Sequence, residues 1–379
     1  MPSKKGVFVQ YYLCLLMNKE KNNLGKFAAL TDPLLKNFFN EQKAAVPRSL
    51  AYARRMIDVV EDFCMRGGKR LRPALVYYGY KLVGGKKEKD ILKASLAMEL
   101  VHAFLLIHDD IMDEDEMRRG KATVHKLYEN EYKTRRQKHT NPKHSKHFGE
   151  TMAILAGDLA SQLATTLILS TTFDAEMKIR AISKLSETVK NTIFGQELDI
   201  RLETSPAPTP AEILNVYRLK TAQYTFESPL HIGLILAKAT PKNIQDISRY
   251  AVPGGIAFQI QDDILGIFGN EKKLGKPILS DIKQGKQTLL VAKALEMGNS
   301  SHRKQILSAL GRKQISKRQA EEVRLALKNS GALAYCKDLA KKYAEQAKDS
   351  LKQFNRKKYN QEVIETLSGL ADLIIKREA

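Results

Sequence analysis

The sequence predicts an all-α fold built as one large helical bundle. Three observations carry that prediction. Long segments place apolar residues at helical spacing, one of them runs thirty residues (90–119) without glycine or proline, and almost nothing alternates as a half-buried strand does.

The elements follow in chain order. Residues 7–17 (VFVQYYLCLLM) come after Lys4 and Lys5, as in a secretory leader, but Gln10 interrupts the short apolar run and no clear small-residue cleavage site follows. We read 1–24 as an N-terminal extension with a weak targeting or membrane-touching helix. A helix can start at Pro73. Residues 90–119 predict a long, mostly buried helix, and 151–173 a second, whose Ala156-Gly157 pair allows close helix approach. Residues 176–203 predict a third. SPAPTP (205–210) breaks the chain; Thr209 reads as an N-cap, Pro210 as the first helical residue and Glu212 as the acid of a capping box. Helical spacing resumes over 211–239, with a kink at Pro229, and over 242–269, with Gly254 and Gly255 inside. Residues 287–376 predict several shorter amphipathic helices. The stretch YKTRRQKHTNPKHSKHF (132–148) shows no apolar periodicity and is expected to be a solvated basic loop, dispensable for chemistry.

Composition narrows the class. Of 379 residues, 43% are apolar, ample for a packed core. The formal charge of +21 favours anionic partners: nucleic acid, acidic membrane or phosphorylated small molecules. No nucleic-acid motif and no aromatic interleaving accompany the basic residues, so no nucleic-acid partner is expected. The histidines within 132–148 have no cysteine or acid among them and predict no metal site. Cys14, Cys64 and Cys336 are odd in number and far apart, which predicts a reducing compartment. A cytoplasmic location is expected, with organelle or peripheral membrane association as alternatives. No uninterrupted apolar run reaches the ~18 residues of a membrane span, so no stable membrane insertion is expected.

The chemistry concentrates in a few stretches. IHDDIMDEDEMRRG (107–120) puts Asp109, Asp110, Asp113, Glu114, Asp115 and Glu116 just ahead of Arg118 and Arg119. On a helix Asp109 and Asp113 share a face and Asp110 points about 100° away. Their mutual repulsion, and their place near a helix C-terminus, call for a cation. Oxygen-only ligands suit Mg²⁺ shared with substrate phosphates; an acidic solvated helix end is the plainer alternative. FQIQDDILGIFG (258–269) carries a second doublet, Asp262 and Asp263, on an apolar helix. Such doublets on separate helices can face each other across a bundle cavity. No Glu-x-x-His pair accompanies them, which argues against di-iron chemistry, and a glycosidase needs no second doublet. GGKRLRP (67–73) sets Lys69, Arg70 and Arg72 after a glycine pair, a place where phosphate oxygens can be held. Lys220-Thr221, Lys276 and Lys286 add isolated cations.

Taken together, GGKRLRP, DDIMD with RRG, LKT, GQELD, FQIQDD, GKP and SDIKQGKQT occur in the order found in the trans-type isoprenyl diphosphate synthases, and the chain resembles that family, its geranylgeranyl and farnesyl diphosphate synthases most. The motifs span 67–288 and the helical pattern extends the likeness over about 30–376. The resemblance implies the isoprenoid synthase fold, a helical bundle around a central apolar cavity, as one domain over 25–379 with 129–150 as an insertion. It implies head-to-tail condensation of isopentenyl diphosphate with dimethylallyl, geranyl and farnesyl diphosphates, with several Mg²⁺ ions per active site, in a homodimer. Asp109, Asp113 and Asp262 would hold metal, supported by Asp110 and Asp263. Arg118, Lys220 and Lys276 would hold the allylic diphosphate, and Lys69, Arg72, His102 and Arg119 the isopentenyl diphosphate. Thr221, Gln259 and the Lys220 carbonyl would face the developing cation. Gln196, Asp199, Asp281 and Lys286 would stand around the metals and a closing lid. Gly266 takes the place of a third aspartate of the farnesyl-type second motif, which excludes a ligand there.

Chain length is read from the residues before Asp109. Phe104 and Leu105 lie five and four positions upstream, Phe104 about 7 Å below at 1.5 Å per residue. Farnesyl synthases often carry two aromatics there. One aromatic and a leucine imply a deeper pocket, hence geranylgeranyl diphosphate as main product, with some farnesyl diphosphate. A farnesyl or longer-chain synthase is the alternative. A cyclase would lack the isopentenyl residues, and a silent subunit would lack an aspartate motif.

Overall fold

A computed structural model describes residues 4–136, 141–205, 207–269, 278–312, 314–354 and 357–376, with backbone only for 4–23 and 136. The described residues form an α-helical protein: α1 Lys4–Ala45, α2 Ala51–Met65, α3 Leu71–Leu82, α4 Glu88–Ser95, α5 Ala97–Met112, a hairpin of β1 Met117–Arg118 and β2 Lys121–Ala122, α6 Val124–Arg136, α7 Pro142–Leu169, α8 Ala175–Glu203, α9 Pro210–Val216, a π-helix Tyr217–Glu227, α10 Ser228–Leu236, α11 Pro241–Phe268, α12 Ser280–Gln284, α13 Leu289–Met297, α14 Ser300–Ala309, α15 Lys317–Asn329, α16 Ala332–Leu351 and α17 Gln361–Lys376. The chain divides into two compact units, 24–77 with 86–182, and 1–23 with 78–85 and 183–379.

In the first unit α7 packs along both α5 and α6. The approach is close because α7 offers glycine at the contacts. A Cβ on Gly157 would stand 2.4 Å from His108 Nε2, and one on Gly149 would stand 2.3 Å from the His125 carbonyl oxygen. Ala156 and Gly157 are buried, as their small size leads one to expect.

Three expectations change here. The helix over 90–119 stops at Met112, after a break at Leu96, and 117–122 make a two-stranded hairpin instead. The basic stretch is helix on both sides of 137–140, which lie outside the described residues. Its charges hide a local logic that apolar periodicity does not register: Lys133 pairs with Glu129 at 2.6 Å and Arg135 with Glu131 at 2.5 Å, each one helical turn away. Asn141 caps α7, with Pro142 in its first turn, and the Tyr132 and Phe148 rings meet at 5.1 Å. Third, two stretches, 88–112 and 142–169, are long and apolar enough to cross a membrane by length and composition, though each includes polar residues that interrupt the run. Both belong to the packed first unit.

Deleting 132–147, a stretch expected from sequence to be dispensable for chemistry, should lower the melting temperature by several degrees. Thermal unfolding of the deletion protein at the parental temperature would contradict that.

In the second unit α11 is the central helix, packed on α16, the π-helix and α17. Its Ile256, Ile260 and Ile264 belong to a core with Val291, Leu327 and Ala340. The Thr209 capping box forms as expected. Pro229, expected to kink one long helix, sits in the first turn of α10, and the departure from α geometry precedes it as the π-helix.

His231 of α10 is buried, with Nε2 2.9 Å from Ser248 Oγ. Burial, helped by the charge of Lys184, pushes its imidazole down from 6.5 to about 3. The unfolded chain therefore takes up the proton first. The stability is full above pH 6.5 and falls as pH drops towards 3, the loss reaching about 2 kcal/mol at pH 5. Urea unfolding at pH 7 and 5 should show the loss in the parent and a shallower one in His231→Gln; equal slopes would contradict the assignment.

Candidate active site

The first unit carries the first aspartate motif at the end of α5. Asp113 is the C-cap, and its N–H donates to the Asp109 carbonyl at 2.8 Å. The acid crowding is relieved in large part by side-chain cations. Arg118 Nε donates to the fully buried Asp110, and Arg118 Nη2 lies 3.4 Å from Asp115. Lys146 is 3.2 Å from Glu114 and Lys126 3.1 Å from Glu116. Asp109 and Asp113 are the other two of the six, both only partly buried. Burial pushes the Asp110 carboxyl up to about 7 against the pull of Arg118. Its Oδ2 is buried without a hydrogen bond.

The RRG sequence is a hairpin turn. Arg118 pairs with Lys121, leaving Arg119 and Gly120 as a two-residue loop with φ of 53° and 75°. Two successive positive φ values are those of a type I′ turn, which suits glycine at the second position and costs an arginine about 1 kcal/mol at the first. The turn brings Arg119 Nη1 to donate to the Gly67 carbonyl. A Cβ on Gly68, at φ 141°, would stand 3.3 Å from the Arg119 guanidinium.

In the neighbouring loop Arg70 is fixed by carboxylates. Arg70, grouped with Lys69 and Arg72 from sequence as a phosphate holder, is buried and paired with Asp32 at 2.9 Å and Glu99 at 2.5 Å. It anchors the loop rather than facing a ligand. His102 on α5 is driven well below the ordinary imidazole value, first by burial and then by the field of Arg72, Arg119, Arg118 and Arg70. It is therefore a neutral hydrogen-bonding group in a cationic neighbourhood. Phe104 is buried and meets the His108 ring edge-on at 4.9 Å; Leu105 is less buried.

The second unit gathers Asp199, Lys220, Thr221, Gln259, Asp262, Asp263, Asp281 and Lys286 around one cavity of about 150 Å³. Lys220 Nζ is 2.8 Å from Asp199. Thr221 Oγ1 donates to Gln259 Oε1 at 2.6 Å, and Gln259 Nε2 donates to Asp263 Oδ1 at 2.8 Å. Tyr217 donates its hydroxyl to Asp263 and accepts from the Leu289 N–H at 2.8 Å. This chain fixes the amide of Gln259 and supports Asp263 from behind. Burial pushes the Asp263 carboxyl up to about 8. Lys276, assigned to the allylic diphosphate, lies outside the described residues.

Lys220 and Thr221 sit on the π-helix, whose widened turns recur at functional sites. It is seated against two glycines: a Cβ on Gly195 would stand 2.7 Å from the Lys220 nitrogen, and one on Gly255 would stand 2.4 Å from Ala222 Cα. Sequence reading missed this helix and Tyr217. Gly195 and Gly255 were the available signals. At Gly266 a Cβ would lie 3.0 Å from Asp281 Oδ2, so an aspartate there would crowd another carboxylate.

The donor sets fit Mg²⁺. Among the described residues no three His, Cys, Asp or Glu side chains converge as a ready metal cage. Pairs of carboxylates completed by phosphate oxygens and water are the arrangement Mg²⁺ favours.

Comparison with known proteins agrees with this chemistry. Residues 54–327 match the Polyprenyl synthetase family. A geranylgeranyl diphosphate synthase of Saccharolobus solfataricus is 36% identical over 313 residues, 82% of this chain and 87% of that one. A geranylfarnesyl diphosphate synthase of Aeropyrum pernix is 34% identical over 315 residues, 82% and 91% of the two chains. The crystal structure of the Corynebacterium glutamicum geranylgeranyl pyrophosphate synthase, complexed with isoprenyl diphosphate and magnesium, superposes with a TM-score of 0.87 at 30% identity, covering 94% of this chain and 99% of that one. With the all-α architecture and both aspartate motifs in place, the chain belongs to the polyprenyl synthetase family and is a prenyltransferase.

Proposed function

We propose that the chain condenses isopentenyl diphosphate head-to-tail with allylic diphosphates, with geranylgeranyl diphosphate as main product and farnesyl diphosphate as an intermediate that partly escapes. The observation that carries this is the pairing, within the first unit, of the DDIMD carboxylates with the GGKR loop and RRG turn, since an enzyme that only ionises an allylic diphosphate does not need the latter two. Asp109, Asp113 and Asp262 would hold the metal. When bound, Mg²⁺ would stabilise negative charge on the leaving diphosphate. Arg118, oriented by Asp110, and Lys220, oriented by Asp199, add positive charge for the allylic diphosphate. Lys69, Arg72, Arg119 and neutral His102 hold the isopentenyl diphosphate. Thr221, Gln259 and the Lys220 carbonyl present oxygen to the allylic cation, and the isopentenyl double bond attacks it. The attack leaves a tertiary cation on C3 of the isopentenyl unit, and loss of a proton from its C2 to the departed diphosphate forms the new double bond. Water must be kept from the cation, which it would quench.

The protein acts as a homodimer in this reading. Ile154 and Leu155 of α7 are 47% and 48% exposed, an apolar face that a second copy would cover. Free, buried Cys64 and Cys336 support a reducing, cytoplasmic location.

Product length is set on α5. Leu105 lies about 40° around the helix from Asp109 and Phe104 about 140°. Leu105→Phe should shift product towards farnesyl diphosphate, and Phe104→Ala should lengthen it beyond four isoprene units. Chromatography of products from dimethylallyl, geranyl and farnesyl primers tests both. Parental distributions from both variants would place the floor elsewhere.

A further inference from the structure

We propose that Arg66 is a positioning residue for isopentenyl diphosphate, acting through the hairpin that carries Arg119; the inference rests on the prenyl-transfer reading. Arg66 directly precedes the glycine pair, yet its side chain turns inward and is only 2% exposed. Its Nε donates to Asp62 Oδ2 at 3.0 Å, and its Nη1 donates to the Ala122 carbonyl on β2 at 2.8 Å. Asp62 Oδ1 accepts from Lys121 Nζ on the same strand at 2.7 Å. The next residue, Gly67, offers its carbonyl to Arg119 at the hairpin tip.

These contacts close a ring. Arg66 grips the second strand of the hairpin, Arg119 reaches back from its turn to Gly67, and the chain joins Arg66 to Gly67. Thr123 fastens the base of the hairpin, donating its hydroxyl to the Asp115 carbonyl at 2.8 Å. Arg119 keeps its positive φ of 53° inside this ring. That conformation is unfavourable for an arginine, so something must hold it. A planar, forked guanidinium suits a post that bonds a carboxylate and a carbonyl at once, and lysine cannot reproduce it. Arg66 thus sets the distance between Lys69 on one side of the ring and Arg119 on the other. Neither sequence motif includes it.

The test compares Arg66→Met, Arg66→Lys and Asp62→Asn with the parent, each alone and combined with Arg119→Met. The expected result for Arg66→Met is a rise of about tenfold in KM for isopentenyl diphosphate, with kcat and the allylic KM within about twofold. Arg66→Lys should not restore it, and Asp62→Asn should show a smaller rise of the same kind. In the Arg119→Met background Arg66→Met should add nothing, because it acts through Arg119. If Arg66→Met does not fold, Asp62→Asn reads the same split between substrates. Additive losses, an equal rise in both KM values, or parental kinetics in Asp62→Asn and every folded Arg66 variant would overturn the inference. A parent unable to use isopentenyl diphosphate would instead overturn the prenyl-transfer reading beneath it.

Discussion

Asp109→Asn and Asp113→Asn should each lower turnover by about two to three orders of magnitude with the fold intact. The expectation rests on the prenyl-transfer reading, in which both carboxylates would hold Mg²⁺. An asparagine at 109 or 113 removes one such charge and leaves the Arg118, Lys126 and Lys146 pairs of the run in place. Each variant should also need more Mg²⁺ to reach half of its own maximal rate. Circular dichroism, thermal unfolding and a Mg²⁺ titration of kcat check this together. Near-parental turnover of both variants at low Mg²⁺ would remove the metal assignment. Asp110→Asn should behave differently, because it breaks an ion pair whose carboxylate is fully buried and so costs stability as well as rate.

The second large effect is expected at Gly255, which touches no substrate. A methyl group there would stand 2.4 Å from Ala222 Cα and 2.7 Å from Ala222 Cβ, so either α11 or the π-helix has to move. Gly255→Ala should cost about 3 kcal/mol and displace Lys220 and Thr221 from their partners Asp199 and Gln259. Turnover should fall even where the variant remains folded. Urea unfolding with kinetics below the transition tests it. Gly254→Ala is the control, because its nearest contact is an ordinary 3.8 Å from Ala347 Cβ. Equal effects at the two glycines would contradict the argument.

Much of the fold was legible because long helices announce themselves by spacing. The capping box at Thr209 and the helix over 175–203 came from local signals that tertiary contacts do not override. The hairpin at 117–122 did not, because two-residue strands have no period. Only Gly120 after two arginines marks the turn, and an arginine in the left-handed region is not what a turn rule expects. The basic stretch failed for another reason. Its helices depend on Glu129 and Glu131 one turn back and on a ring contact between Tyr132 and Phe148, sixteen residues apart in sequence. Residue types pointed to the Asp109 and Asp113 pair and to the Asp262-Asp263 doublet, whereas Lys220 and Gln259 came only with the resemblance. Residue types could not show that Arg70 is buried against Asp32 and Glu99, since pairing with a distant carboxylate leaves no local trace. Tyr217 and Arg66 stayed hidden because each works through another residue's geometry.

The central claim is that isopentenyl diphosphate is joined to an allylic diphosphate by this chain. The most direct measurement is incubation of the pure protein with labelled isopentenyl diphosphate, farnesyl diphosphate and Mg²⁺, followed by chromatography of the product. The account predicts labelled geranylgeranyl diphosphate, one diphosphate released per label incorporated, and loss of product when Mg²⁺ is chelated or Asp109 is replaced by asparagine. Allylic diphosphate consumed without incorporation of label, or no consumption at all, would contradict it.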